Sequence, residues 1–126
     1  MKKLVMAVIA VSVLVGCAEN PRITAARAYV QVNSPMKFDK EQCDLKRQQV
    51  EYFIAKHSPT KIEISTPTTI QTYNQINTSL NVVTWGAAAH RLNTSTGCQI
   101  DINAVTWGGT DFIAIETIMK EVKSSS

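Results

Sequence analysis

The 126-residue chain contains no G-x-S-x-G nucleophile elbow, no HExxH pair, no glycine-rich phosphate loop and no EF-hand pattern. Each absence removes a class of chemistry that local spacing announces: acyl transfer, zinc hydrolysis, nucleotide binding and calcium binding. Histidine is scarce, with His57 and His90 the only imidazoles. A nucleophile needs a base within hydrogen-bond reach, and the available pairings, Cys43 with His57 and Ser95 with His90, have no third group to orient the base. Both histidines therefore read as exposed loop residues. Acidic pairs such as Asp39 with Glu41 lie in a charged run rather than in a cleft that would raise a carboxyl pKa. No CxxC and no Cys-plus-His cluster at ligand spacing is present, so the sequence implies no metal and no cofactor. Catalytic residues are not indicated, and a non-enzymatic role is expected.

Concentrated charge is also missing. Thirteen Lys and Arg against ten Asp and Glu give +3. Without Lys2 and Lys3 the balance is eleven to ten, or +1. A nucleic-acid binder wants a basic face; here Lys37, Asp39, Lys40, Glu41, Asp44, Lys46, Arg47 and Glu51 interleave, as on a solvated surface.

What the sequence does have is a leader pattern. Lys2 and Lys3 precede a run from Leu4 to Val15 in which Ser12 alone is polar, as an export signal requires. Its twelve residues would rise about 18 Å as a helix against a hydrocarbon core of about 30 Å, too short for a stable span. An ordinary secretory signal would want a small-x-small cleavage site, and a buried core helix would not carry two lysines at its head. The run closes with Leu14-Val15-Gly16-Cys17, which resembles a bacterial lipobox. The resemblance implies a diacylglyceryl group on Cys17, cleavage before it, and acylation of the new amino terminus. The mature chain would then be a membrane-attached protein of the envelope. In enterobacterial lipoproteins an aspartate after the cysteine marks inner-membrane retention; Ala18 stands there, which points to the outer membrane. Three acyl chains would hold the protein permanently.

With Cys17 carrying lipid, Cys43 and Cys98 remain. Two thiols in one small exported domain are expected to pair, and closing so long a loop is assigned about 4 kcal/mol by loop entropy. The rival reading is a reactive or metal-binding thiol.

Cleavage of sixteen residues would leave 110, enough for one domain. Residues 17–27 read as lipidated terminus and tether, 28–123 as the domain, and 124–126 as a frayed tail. Ala28 to Val32 alternates like a first strand, stopped by Asn33-Ser34-Pro35, and Met36 to Gln42 reads as a loop. From Asp44 to Lys56 strand and helix patterns compete, with a strand favoured over Val50 to Ala55. Lys61 to Ile64 reads as a short strand. Thr66-Pro67 has the form of a helix start, and Ile70, Tyr73, Ile76, Asn77 and Leu80 follow at intervals of three and four, so a helix is expected there. Cys98 to Asn103 alternates, with Cys98, Ile100 and Ile102 inward. Gly108-Gly109 signals a hairpin into a strand over Phe112 to Met119, with a helix capped by Asp111 as the alternative. The expected class is α+β: a small antiparallel or mixed sheet of about five strands, one main helix packed on it, and one disulfide.

Asn81-Val82-Val83-Thr84-Trp85-Gly86 is nearly repeated twenty-two residues on as Asn103-Ala104-Val105-Thr106-Trp107-Gly108. This points to two strands of one sheet joined by a twelve-residue connection, Gly86 to Gly97, which is long for a hairpin and thus a candidate functional loop. Trp85 and Trp107, with His90 and Arg91 from that connection, are the candidate binding residues, since tryptophan is enriched at binding hot spots. The alternative is that both indoles cover the core where the sheet ends.

From Cys43 to Trp107 the order of a cysteine-bearing early strand, a helix leading into a Leu80-Asn81-Val82-Val83 strand, and a Gly97-Cys98 strand after a loop resembles small outer-membrane lipoproteins of the Rcs envelope-stress sensor type. The resemblance implies a lipidated, disulfide-stapled α+β domain that contacts other envelope components. This chain has two domain cysteines where that sensor has four, and no counterpart to its long proline-rich linker. A binding or sensing module whose partner is an envelope protein or peptidoglycan is thus expected. A lipid-anchored enzyme and a surface-exclusion lipoprotein are the alternatives.

Overall fold

The computed structural model describes residues 20–80 and 82–125. Cys17 and the residues read from sequence as a leader lie outside them. Among the described residues, three helices and seven strands form an α+β domain whose strands are all antiparallel.

Helix α1 (Pro21–Asn33) replaces the expected tether and first strand. Asn20 caps it, its side chain accepting a hydrogen bond from the Arg22 amide, and Pro21 occupies the first turn, where no amide is needed. Three alanines supply helix propensity. The alternation over Ala28 to Val32 is misleading because only Tyr29 and Val30 pack toward the core, while Val32 is 84% exposed. Residues 21–27, read from sequence as tether, thus belong to the packed domain, with Ala26 fully buried.

Strand β1 (Met36–Asp39), in place of the expected loop, forms one edge of the sheet and pairs with β6. A 3-10 turn over Lys40–Gln42 leads into α2 (Cys43–His57). The strand favoured over Val50 to Ala55 is therefore helical. Val50 and Ile54, one turn apart, are fully buried with Cys43 and Lys46, and Tyr52 between them points outward.

The helix expected after Thr66 is instead two short strands and a turn. Strands β2 (Ile62–Ser65), β3 (Thr69–Thr72) and β4 (Gln75–Asn77) follow one another. The Thr66 hydroxyl does accept bonds from the amides of Thr68 and Thr69, but it closes a β-turn. Threonine and isoleucine, stiff at χ1, favour the pleated surface beyond it.

Strand β5 (Val82–Asn93) absorbs most of the expected connection, leaving residues 94–96 as the turn into β6 (Gly97–Thr106). The register runs from Trp85 opposite Thr106 to Asn93 opposite Cys98. Gly97 sits directly against the Phe38 carbonyl, where a Cβ would collide with backbone. The Gly-Gly hairpin exists, but β7 (Gly109–Thr110) is only two residues long, with Gly109 at φ 118°. The chain then enters α3 (Phe112–Ser124) rather than the favoured strand, with Asp111 accepting a bond from the Ala114 amide. Ile115, Ile118, Met119 and Val122 make its buried stripe.

The sheet order is β1-β6-β5-β3-β2, with β4 extending along β5 and β7 along β6. Helix α3 lies on β6 between α1 and α2. Cys98, Ile100, Ile102 and Ala104 face the helices, as the alternation implied, and meet Ala87 and Ala89 of β5. Gln99, Asp101 and Asn103 face away. Cys43, the first residue of α2, is joined to Cys98 by a disulfide across a Cα separation of 6.0 Å.

Helices α2 and α3 are also joined by charge. Glu121 pairs with Lys56 at 3.3 Å and more closely with His57. Partial burial alone would raise the Glu121 pKa, but the hydrogen bonds from His57 and Lys56 and their charges outweigh it and hold the carboxyl below its usual 4.5. A carboxyl whose pKa is depressed in the fold stabilises it fully only above the unfolded value, and the contribution disappears as pH falls through the folded value. Glu121→Gln should therefore be less stable than the natural chain at neutral pH. The two melting curves should converge as pH drops below 4.5, and a gap that persists there would show that the pair does not act through charge.

Candidate binding surface

The residues singled out from sequence separate into three places. Trp85 is half-buried and packs against the core between sheet and helices. His90 lies on the opposite, helix-free face of the sheet, exposed and in register between Thr69 and Asp101. Arg91, its neighbour, turns toward the helices, where it donates to Asp44 and Asn93 at 2.7 Å each. His90 and Arg91 thus belong to a strand and point apart. Trp107, on the turn between β6 and β7, is 71% exposed.

The imagined nucleophile pairings are not assembled. Cys43 and His57 are the first and last residues of α2, about 21 Å apart along a helix at 1.5 Å per residue. Cys43 is in any case held in the disulfide. His90 is paired in the β5 ladder, and Ser95 sits in the turn at its end. No cluster of three or more metal-ligating side chains occurs among the described residues.

Two clefts flank the helical layer. One, of about 400 Å³, lies beside Arg47 and Arg91 near Ser65 and Thr66. Its arginines are already committed: Arg47 donates twice to the Thr66 carbonyl and once each to Ser65 and Glu51. Arg91 holds Asp44 and Asn93. An anion entering there must displace bonds that tie α2 to the sheet, so the cleft reads as a structural seam.

The second, of about 410 Å³, opens where α1, α3 and the β6–β7 turn begin or end, with Ile23, Arg27, Thr106, Gly108 and Phe112 on its walls. The Arg27 guanidinium lies over the Phe112 ring, 5.2 Å from its centre. Arg22 bridges from α1 to the buried Glu116 of α3 at 2.7 Å, fixing the start of α1 against this end of the molecule.

At the same end the β4–β5 hairpin runs past the point where β6 stops pairing with β5. Its pairs are Gln75 with Trp85, Ile76 with Val83, and Asn77 with Val82. Asn77 folds the turn by accepting bonds from the amides of Ser79 and Leu80. Ile76 is 55% exposed and Leu80 61% exposed. These two, with Trp107, place three large apolar side chains at one end of the sheet. Sequence reasoning finds Trp107 and misses the other two, because the expected helix takes Ile76 and Leu80 into its buried stripe. The signal for a turn is Asn77-Thr78-Ser79, a run of turn-forming side chains.

Among the described residues no helix is long and apolar enough to cross a membrane. No family model, no curated protein and no solved structure matches the chain.

Proposed function

We propose that this chain is an exported lipoprotein, anchored through lipid on Cys17 to the cell envelope with its domain facing the periplasm from the outer membrane. In this reading it acts as a non-enzymatic binding or sensing module for another envelope component, an envelope protein or peptidoglycan. The observation that carries the reading is the Cys43–Cys98 disulfide, which takes the two other thiols and leaves the cysteine of Leu14-Val15-Gly16-Cys17 as the odd one. Structural disulfides belong to oxidising compartments, and the lysines and apolar run before Cys17 have the form of an export signal. The absence of concentrated charge argues against nucleic acid as the partner. Among the described residues large apolar side chains stand exposed on open surface, which favours contact over catalysis.

Expression of the full chain in a bacterium, followed by fractionation and intact-mass measurement, tests this. The natural chain should be recovered with the membranes at the mass of a triacylated protein beginning at Cys17. Cys17→Ser should leave an uncleaved precursor. A Cys17→Ser chain that matures normally, or a natural chain with Cys17 unmodified, overturns the proposal. Turnover of peptidoglycan by the purified protein, lost in His57→Ala or His90→Ala, would replace it with the enzyme reading.

A further inference from the structure

A lipid on Cys17, the premise shared with the proposed function, leaves very little chain between bilayer and domain. Three residues, Ala18, Glu19 and Asn20, separate Cys17 from the first residue of α1. Four Cα steps reach at most about 15 Å. The start of α1 is itself fixed to the body of the domain by the Arg22–Glu116 bridge and by Ile23 on the wall of the cleft it shares with Gly108. A domain held on so short a lead cannot stand away from the bilayer. The end that must lie against it is the one that carries Trp107, Ile76 and Leu80.

We infer that this end of the sheet is a membrane-contacting surface, with the Trp107 indole and the β4–β5 hairpin tip seated in the interfacial layer of the lipid to which Cys17 is attached. The chemistry fits a lipid surface. Tryptophan prefers the headgroup level, where its ring is apolar and its N–H finds water or ester oxygen. Isoleucine and leucine on a protruding hairpin reach the acyl boundary. Arg22 is already paired with Glu116, so the contact depends on apolar side chains rather than on anionic headgroups. Other exposed apolar residues lie elsewhere: Leu92 is at the other end of β5, and Tyr52 is on α2, where its ring meets Phe53. The occupied surface also fixes orientation: the β5–β6 turn and the disulfide end project away from the bilayer and are the parts left to meet a partner.

Depth-dependent fluorescence quenching tests this on the full, membrane-purified chain. The protein is reconstituted into vesicles of phosphatidylethanolamine and phosphatidylglycerol with or without brominated acyl chains. Trp85→Phe leaves Trp107 as the sole indole. A companion with Trp85→Phe, Trp107→Phe and Leu92→Trp carries the indole at the opposite end. Bromine should quench Trp107 several-fold more than the indole at 92, and in the same vesicles its emission should lie to the blue of that indole. Replacing Ile76 and Leu80 by serine should reduce that quenching without changing the melting temperature. Should Trp85→Phe fold poorly, the loss of bromine quenching between the natural chain and Trp107→Phe reads the same quantity. Equal quenching at 107 and 92 in protein whose mass shows three acyl chains overturns this surface and leaves the lipoprotein reading standing. A mass showing Cys17 bare removes the short lead and overturns both. Protection of Trp107 by a crosslinked protein, in place of lipid, overturns the surface in favour of a protein partner.

Discussion

Replacing Cys43 and Cys98 together by alanine should lower the midpoint of thermal unfolding by roughly 15 to 20 °C. The bond joins the start of α2 to the start of β6 and closes 55 residues that include α2 and strands β2 to β5. Loop entropy assigns such a closure about 4 kcal/mol, out of the roughly 5 to 15 kcal/mol that a domain of this size holds in total. The core is modest and one face of the sheet lies open to solvent, so little else compensates. Alanine is the right replacement because Cys43 and Cys98 are both buried, at 2% exposure, where serine would add a hydroxyl to be satisfied. Dithiothreitol should impose a similar fall on the natural chain and none on the double variant. A fall of less than about 5 °C would mean that the domain stands without its staple, and the disulfide would then no longer argue for an oxidising compartment.

The parts of the fold that are legible in the sequence are those where one face is wet and the other dry. Strand β6 is the plainest case: Cys98, Ile100 and Ile102 alternate with Gln99, Asp101 and Asn103, and the two sets lie on opposite faces. The cysteine pairing is legible from the number of thiols once the leader pattern is read as an export signal. Helix α3 is not, because Phe112 to Met119 is apolar nearly throughout, and a run of that kind satisfies both periods. Its cap, Asp111, is the deciding residue, and a single cap weighs little against the hairpin signal of the Gly-Gly pair just before it. In α1 and α2 the alternation imitates a strand, although one member of each pattern, Val32 and Tyr52, is solvent-facing while Val30, Val50 and Ile54 pack inward.

The failure over Thr66 to Leu80 has a different cause. Ile70, Tyr73, Ile76 and Leu80 do fall at helical intervals, but only Ile70 is buried. Tertiary pairing with β5 decides the matter, and no local signal carries the register of a strand that has not yet been met along the chain. The same error conceals the candidate surface. Residues assigned to a helix's dry stripe are unavailable as an exposed tip, so Ile76 and Leu80 become visible beside Trp107 only once the hairpin is placed. His90 and Arg91 look like loop residues in the sequence because the run of three alanines before them carries no strand signal. In the structure Ala88 and Ala89 are ladder residues, paired with β3 on one side and β6 on the other, and His90 continues the same register.

Ile118→Ala should destabilise the domain by about 3 to 4 kcal/mol, comparable with loss of the disulfide. Ile118 is fully buried at the middle of α3, the helix that touches α1, α2 and β6 at once. Truncation removes apolar burial and leaves a cavity that three fixed neighbours cannot close together, the circumstance in which large-to-small changes cost most. Val32→Ala on the outward side of α1 supplies the contrast: it removes exposed surface and should change stability by no more than about 0.5 kcal/mol. The measurement is urea unfolding of both variants followed by circular dichroism, with the slope checked for two-state behaviour. A small effect at 118 would mean that α3 is not the common support of the other two helices. The positioning of α1, and with it the proposed closeness of Trp107 to the bilayer, would then lack a rigid foundation, because the Arg22 bridge ends on Glu116 of that same helix.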